Sequence, residues 1–235
     1  MMKGFSFIEF IVALALSASI LSLVISTVSD SMSPTRKVIS HQEKMESIFH
    51  TMDMLRADLT KCGMRLQEAS KFFYFPLFEN TSLSFKVVYG MGTELLKKPA
   101  LYSGTIVTIN KNDFFSTGKR IILFDPQTKQ YEINEIKKTS GNDITLTETL
   151  LYNYPVNSIA IALSEVEYKL YSLPNVHSLK RKVNKGTFQP VIEDVTDFFV
   201  QYYPESNTVY YRIEINRREQ IRGYVFMTNM METAQ

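Results

Sequence analysis

The sequence predicts an α+β protein in which a long amino-terminal α-helix packs on a globular head rich in antiparallel β-strands. Three observations predict this fold class. No charged residue occurs from Phe10 to Ser29, and an apolar stripe at helical spacing follows from Met45 to Leu66. Beyond Pro76 apolar and polar residues alternate as they do in strands. We expect four segments, at residues 1–4, 5–29, 30–71 and 72–235.

The uncharged run is long enough to cross a membrane. Its 20 residues span roughly 30 Å at ~1.5 Å per helical residue. A secretory signal peptide also begins with basic residues, but its apolar region has only about 7–15 residues. We therefore expect segment 5–29 to stay on the protein as a transmembrane helix. Because Lys3 precedes the run, the positive-inside rule places the amino terminus in the cytoplasm and the chain after Asp30 outside.

Glu9 stands at the edge of this run, where an ionised carboxylate is costly unless it is paired. The segment Lys3-Gly4-Phe5-Ser6-Phe7-Ile8-Glu9 combines a basic residue, a glycine, an aromatic residue and a glutamate four residues beyond that aromatic. It resembles the prepilin cleavage motif of type IV pilins and type II secretion pseudopilins. Ser6 and Phe7 depart from the threonine and leucine more common in that family, but they keep the character of the site.

The resemblance implies processing and assembly. A prepilin peptidase would cut between Gly4 and Phe5 on the cytoplasmic side, removing residues 1–4 as a leader peptide, and would methylate the new amino group of Phe5. The ammonium group of a neighbouring subunit's Phe5 would then approach Glu9, because an ion pair in low dielectric is favoured over an isolated charge. An ordinary signal anchor with an incidental glutamate is the alternative.

Segment 30–71 predicts an amphipathic helical stalk, attached through a stretch in which Pro34 is expected to kink or interrupt the helix. Gly63 marks a disturbance near its end. Packing on the protein's own sheet and a coiled coil with another chain both fit a stripe of about three heptads. The stripe consists of Met45, Ile48, Met52, Leu55, Leu59, Cys62 and Leu66, and the charged residues expected off it are Glu46, Asp53, Arg56, Asp58 and Lys61.

The head is expected to consist of short antiparallel strands. Turn residues at 125–128 and 184–186 predict hairpins, and strict alternation from Val209 to Asn216 predicts a half-buried strand. The predicted strands are 83–89, 105–110, 120–124, 130–137, 143–147, 158–163, 166–172, 178–183, 187–191, 198–203, 209–216 and 221–228.

The carboxy-terminal third adds a looser resemblance. A tyrosine strand at Tyr168, then Leu179-Lys180-Arg181, then Phe188–Phe198 and two final strands follow the order of PilW-like minor pilins and J-type minor pseudopilins. Leu55–Gly63 likewise resembles the segment that closes the long helix in the former. The resemblance implies a pilin-like fold and a minor pilin that is incorporated into a type IV pilus or primes its assembly. It also implies an inner-membrane stage before the pilus, and prepilin peptidase and other pilins or pseudopilins as partners.

Two alternatives stay open. A J-type minor pseudopilin of a type II secretion system shares the motif and the head, and the neighbouring genes would separate the two. A membrane-anchored receptor or enzyme would use the segment only as an anchor. The sequence indicates no cluster of acid, base and nucleophile for catalysis, so an enzyme is not expected.

Composition indicates no cofactor, metal or direct nucleic-acid partner. The 26 basic and 24 acidic residues leave a net charge of only +2. Three scattered histidines and four separate turn-type aspartates lack metal-ligand spacing. The single cysteine, Cys62, forbids an internal disulfide and is interpreted as a small apolar helix residue. The histidines are His41, His50 and His177, and the aspartates are Asp113, Asp125, Asp143 and Asp194.

One basic group and two aromatic groups receive structural interpretations. Lys180, Arg181, Lys182 and Lys185 predict a solvated sheet edge that blocks aggregation, with an anionic contact as the alternative. The aromatic residues at 72–75 and 114–115 are expected in the core.

Overall fold

The computed structural model describes residues 7–66, 76–110, 113–173, 176–217 and 219–230. Within them, one long helix, α1 (Phe7–Lys61), is followed by twelve strands in two antiparallel sheets. The chain forms two compact units, residues 1–50 and 51–235, which are described separately. The predicted α+β class with a β-rich head is confirmed at this level.

Helix α1 differs from the prediction in two respects. It continues through Pro34 without interruption over its 55 residues, although an interior proline removes a backbone donor and crowds the preceding turn. It also ends at Lys61, whereas the predicted stalk continues to residue 71. Gly63 adopts a left-handed φ of 72°, and its amide donates a 2.9 Å hydrogen bond to the carbonyl of Val88. The chain therefore leaves the helix and joins the sheet, and residues 67–75 lie outside the described residues.

The twelve strands follow the helix in chain order. Their bounds are β1 (Phe78–Asn80), β2 (Ser84–Leu95), β3 (Ile106–Thr108), β4 (Arg120–Phe124), β5 (Tyr131–Ser140), β6 (Asp143–Leu146), β7 (Ile159–Leu173), β8 (Val176–Val183), β9 (Gln189–Glu193), β10 (Val195–Tyr203), β11 (Thr208–Ile215) and β12 (Glu219–Phe226).

The larger sheet has nine strands and is organised around β7. Its order is β1-β2-β7-β4-β5-β6-β3, with β8 paired to β7 and β9 paired to β8. Both predicted hairpins are confirmed, since β4 pairs with β5 and β8 pairs with β9. The strand predicted at 120–124 coincides with β4, and those predicted at 158–163 and 166–172 are one continuous strand, β7.

The smaller sheet, β10-β11-β12, confirms the predicted two-faced strand. Along β11 the side chains of Val209, Tyr211, Ile213 and Ile215 are buried, and the residues between them are partly exposed. This alternation is that of an antiparallel strand with one face on the core.

The carboxy-terminal part of the apolar stripe belongs to the core of the β-rich unit. Leu55, Leu59, Cys62 and Leu66 have no exposed surface. Because this burial occurs within a single chain, the stripe from Thr51 onward packs on the protein's own sheet, one of the two arrangements expected from the sequence.

Candidate membrane and assembly site

The first half of α1 presents a continuous apolar surface. The span from Phe7 to Val28 has 22 residues, a mean hydropathy of 2.4, and none of its most apolar stretch is buried in the protein. At ~1.5 Å per residue it extends roughly 33 Å, which is enough to cross a bilayer. Large side chains on all sides of the helix are exposed, among them Phe7, Ile8, Leu14, Ile20, Leu21 and Leu23.

Three hydroxyl side chains inside this span donate hydrogen bonds to the backbone of the helix itself. The hydroxyls of Ser17 and Ser19 donate to the carbonyls of Ala13 and Ala15 at 2.8 and 2.9 Å, and that of Thr27 donates to the carbonyl of Leu23. Such i to i−4 bonds mean that these three hydroxyl donors do not need water as a partner. They reduce the cost of placing polar side chains in a dry, apolar surrounding.

Glu9 lies in the first turn of α1, with exposed apolar side chains on both sides of it. A carboxylate in the first turn is favoured by the partial positive charge of the helix amino terminus. The other two predicted site residues, Gly4 and Phe5, lie outside the described residues. The geometry of the predicted cleavage site is thus not part of the described structure.

A second polar site fixes the last turns of α1 in the β-rich unit. The Asp58 carboxylate is buried and accepts three hydrogen bonds. The Tyr168 hydroxyl of β7 donates one at 2.7 Å, and Arg181 of β8 donates two, through Nε at 2.7 Å and Nη2 at 3.2 Å. The sequence placed Asp58 off the apolar stripe, yet its side chain is buried beside the stripe residues.

The electrostatics of this triad, Asp58 with Tyr168 and Arg181, favour the protonated forms of the two donors. Burial by itself lowers the pKa of Arg181, but the hydrogen bond and the charge of Asp58 outweigh it, so that pKa is raised. Burial and the adjacent Asp58 carboxylate raise the pKa of Tyr168 well above its usual range. Tyr168 therefore stays a neutral donor, and its ring stacks on Phe85 at a centroid distance of 4.9 Å.

The helix pattern places Asp58 beside the apolar stripe, but it does not identify the residues that bind it. Asp58 comes three residues after Leu55 and four before Cys62, so helical geometry puts it beside the stripe. Its partners Tyr168 and Arg181 are 110 and 123 residues away. No local pattern relates residues at that separation.

Cys62 follows the end of α1 and is inert, in agreement with the prediction of a small apolar residue. Its thiol donates to the carbonyl of Leu77 at 3.2 Å and lies 3.9 Å from the sulfur of Met230. Burial raises the pKa of the thiol to about 12, against the opposing effect of a hydrogen bond with the backbone of Val88. The nucleophilic thiolate is therefore scarce at neutral pH.

The basic group at 180–185 is only in part a solvated sheet edge, because β9 pairs with β8 at residues 178–181 but not beyond. Its charges pair with other groups of the protein, and the Lys185 side chain stays 65% exposed. Arg181 binds Asp58, Lys182 binds Glu167 and Lys185 binds Glu135, and the Lys180 ammonium lies 4.6 Å from the centre of the Tyr171 ring. These contacts give the alternative of an anionic contact no support.

The other candidate residues remain separate. Within the described residues no group of three histidine, cysteine or acidic side chains is placed to hold a metal. His50 is exposed and His177 is half-buried, and the side chain of His41 is not described. Asp125 accepts hydrogen bonds from the Gln127 amide and the Thr128 hydroxyl, as a turn residue does.

An open cleft of about 290 Å³ lies between the β5–β6 hairpin and the loop after β3. Asp113 is its one titratable side chain among the described residues, beside the polar side chains of Asn110, Ser116 and Thr139. Among the described residues, the lining offers no second titratable side chain that could form an acid–base pair with it. Of the predicted aromatic core residues, Phe115 is buried, Phe114 is 38% exposed, and residues 72–75 lie outside the described residues.

Comparison with known proteins assigns no family. No family model matches the chain, and no curated protein matches it. Among solved structures, the phage phi92 endosialidase is similar at 8% identity with a TM-score of 0.21. The match covers 56% of this chain, which spans 29% of the length of that one. At this TM-score the likeness defines neither a shared fold nor a shared activity.

Proposed function

We propose that this chain is a minor pilin, cut by prepilin peptidase between Gly4 and Phe5, which is incorporated into a type IV pilus or primes its assembly. The observation that carries the proposal is the surface of α1, apolar and exposed around the whole helix from Phe7 to Val28. A single acid, Glu9, stands in its first turn. The motif at residues 3–9 adds the processing step.

The same helix suits both stages of such a protein. In the inner membrane its apolar surface meets lipid, with the amino terminus cytoplasmic and the head periplasmic. In a filament the surface meets equivalent helices, which are equally dry and apolar. Because the hydroxyls of Ser17, Ser19 and Thr27 are bonded within the helix, these three donors keep their partners during the transfer.

Glu9 supplies the specific contact in this proposal. A carboxylate in a dry filament core is stabilised by an opposite charge at short distance. The methylated amino group of a neighbouring subunit's Phe5 is the cation that processing would create. The pairing would set the axial position of one subunit against the next, which a purely apolar helix surface leaves undefined.

The triad at Asp58 contributes the attachment of the head. It fixes the last turns of α1 to β7 and β8 through hydrogen bonds to a carboxylate, and hydrogen bonds with an ionised partner are among the stronger ones in proteins. Force applied along α1 would therefore be transmitted to the β-rich unit. A subunit that is moved out of a membrane into a filament needs such an attachment.

Processing is tested by mass spectrometry. The full chain is produced together with a prepilin peptidase, and the intact mass of the membrane-extracted protein is measured. We expect a product that starts at Phe5 and carries one methyl group, while Gly4→Val keeps residues 1–4. Ser17→Ala, a conservative change farther along the same helix, is the matched control and is processed normally.

Assembly is tested in a piliated host that lacks its own copy of the gene. Glu9→Gln is expected to be processed but absent from sheared filaments, whereas Glu43→Gln, an exposed acid farther along α1, is incorporated. Normal processing of Gly4→Val together with full incorporation of Glu9→Gln would contradict the proposal. Loss of protein secretion with intact pili after gene deletion would assign the chain to a secretion pseudopilus instead.

A further inference from the structure

Two loops of the β-rich unit carry a cluster of exposed apolar side chains that the proposed function does not use. The loops are 96–104, between β2 and β3, and 147–158, between β6 and β7. Leu101, Tyr102 and Leu151 are 67%, 66% and 64% exposed. Tyr152 and Val156 are 38% and 47% exposed. We call these five side chains and their two loops the paired-loop tip.

The backbone holds the two loops together. Ala100 and Tyr154 form an antiparallel bridge with both hydrogen bonds at 2.8 Å. The amide of Tyr102 donates to the Asn153 side chain at 2.7 Å, and that of Ser103 donates to the Leu150 carbonyl at 2.9 Å. The exposure of the tip is thus imposed by paired backbone and is not a property of an unanchored loop.

The core beneath the tip explains why its apolar side chains point outward. Leu96, Ala100, Leu150 and Tyr154 fill the interior side of the same two loops and are buried. The Glu132 carboxylate accepts the amide of Leu151 at 2.7 Å from below. Since the inward positions are already occupied, Leu101 and Leu151 have no place in the core to which they could retreat.

The tip lies at the end of the β-rich unit away from the point where α1 enters it. Thr51 bonds to the carbonyl of Val191, Asp58 bonds to Tyr168, and Gly63 bonds to Val88. From Thr51 to Gly63 these contacts lie progressively further along the sheet, in the same direction as β2 runs. Strand β2 continues to Leu95, and the first tip loop begins at the next residue.

The chemistry of the tip matches a lipid surface. Leucine side chains insert among acyl chains, and tyrosines favour the interface because one end is apolar and the other polar. Lys97 and Lys98, four and three residues before Leu101, are exposed. Glu148 is the one acid of the two loops, and its backbone is bonded to Asn134 at the base. The loops therefore carry a net charge of +1, with both cations on the loop that carries Leu101 and Tyr102.

We propose that the paired-loop tip binds the surface of an anionic lipid bilayer. The apolar side chains enter the headgroup region, while Lys97 and Lys98 pair with lipid phosphates, a contribution that adds to apolar insertion.

The test uses the full chain embedded through α1 in nanodiscs of phosphatidylcholine, to which labelled vesicles are added and floated. Vesicles containing phosphatidylglycerol are expected to carry the nanodiscs with them, while pure phosphatidylcholine vesicles carry few. Leu101→Ser with Leu151→Ser should weaken this capture by about tenfold or more. Lys97→Glu with Lys98→Glu should abolish the preference for the anionic lipid.

The matched control removes two apolar side chains of comparable exposure elsewhere. Tyr224 and Phe226 on β12 are 70% and 49% exposed, and Tyr224→Ser with Phe226→Ser is expected to leave capture unchanged. Empty nanodiscs measure the background. Circular dichroism of each variant identifies any that fails to fold, and an environment-sensitive dye on Leu101→Cys gives a second readout, expected to shift to the blue with anionic vesicles only.

Three results would overturn the proposal. The first is equal capture of anionic and neutral vesicles, and the second is an equal loss of capture in the tip and control variants. The third is a change in oligomeric state on replacing Leu101 and Leu151 without any change in capture, which would assign the tip to a protein partner. Each result leaves the pilin proposal standing, because processing and filament incorporation are measured independently.

Discussion

At the scale of single residues, one carboxylate, that of Asp58, accepts the hydrogen bonds that attach the last turns of α1 to β7 and β8. Replacing it by alanine leaves the Arg181 guanidinium and the Tyr168 hydroxyl without their acceptor in a largely buried position. Breaking a buried pair in this way costs about 3–5 kcal/mol. Because a quarter of the Arg181 side chain is exposed, we expect the lower end of that range for Asp58→Ala. Urea unfolding followed by circular dichroism measures the change in free energy.

Two further variants show what a smaller change costs. One removes a single hydrogen bond of the triad, and the other removes an exposed acid of the same helix. Tyr168→Phe removes one donor and is expected to cost only about 1 kcal/mol. Asp53→Ala, an exposed acid five residues earlier on the same helix, should change the free energy of unfolding by less than about 0.5 kcal/mol. If Asp58→Ala were no more damaging than Asp53→Ala, the role assigned to the triad would be wrong.

Because the carboxyl group of Glu132 is buried, we expect the folding stability to depend on pH. Its side chain is 6% exposed, and burial raises its pKa, with the Leu151 hydrogen bond opposing and the Glu148 charge adding. The folded state therefore keeps the proton at a pH where the unfolded state, with a pKa of about 4.3, has lost it. Folding stability must then fall as the pH rises from about 4.3 through the folded pKa.

The measurement is the difference in free energy of unfolding between Glu132→Gln and the natural chain across this pH range. The amide oxygen of the variant still accepts the Leu151 hydrogen bond, but nothing at that position ionises. We expect the variant to gain stability relative to the natural chain as the pH rises. Glu205→Gln, an exposed acid, should show a flat difference, and a flat difference for Glu132→Gln would refute the prediction.

At the scale of elements, Gly63 decides where α1 ends. Its φ of 72° is left-handed, and a Cβ there would approach the carbonyl oxygen of Asn229 to 3.0 Å. Gly118 has a similar φ of 81° with nothing within 4 Å of its Cβ position. Gly118→Ala should therefore pay only the backbone cost of about 1 kcal/mol, while Gly63→Ala should cost more. Thermal unfolding of the two variants compares them, and equal losses would exclude a steric role for Gly63.

The sequence was most informative about elements whose signal is local. Alternation located β11, and turn residues located the β4–β5 and β8–β9 hairpins, because side-chain period and turn chemistry are properties of neighbouring residues. It failed where a polar residue inside a strand resembled a break. Ser164 and Glu165 suggested two strands, but Ser164 is buried and Glu165 forms an ion pair with Arg120 on β4, so β7 continues through them.

The candidate site residues likewise fall into those with a local sequence signal and those without one. The apolar span and Glu9 were found because their signal is a run of adjacent residues. The Asp58 triad was missed because it is assembled from α1, β7 and β8 only after the sheet forms. The paired-loop tip was missed for a related reason: Leu101 and Leu151 each look like ordinary core residues, and only the bridge between Ala100 and Tyr154 reveals that they point outward together.

At the scale of the whole molecule, two units with different solvent requirements share one chain. The span from Phe7 to Val28 has no buried share in its most apolar stretch, so in water it would expose a large apolar surface, which favours aggregation. The β-rich unit from Thr51 has its own core, which includes Leu55 and Leu59 of α1. Only the first unit therefore needs a bilayer, a detergent or neighbouring helices.

This division predicts that a chain starting at residue 29 is soluble and unfolds at the same temperature as the full chain in detergent, within about 2 °C. The deletion removes exposed apolar surface but none of the core of the β-rich unit, so we expect it to change the free energy of unfolding only slightly.

A chain starting at residue 60 is the contrasting deletion, because it also loses Leu55, Asp58 and Leu59, which are buried. We expect it to lose the cooperative transition in calorimetry. A large fall in unfolding temperature for the first deletion would show that the apolar span stabilises the β-rich unit, and the assignment of the span to membrane and filament contacts alone would then fail.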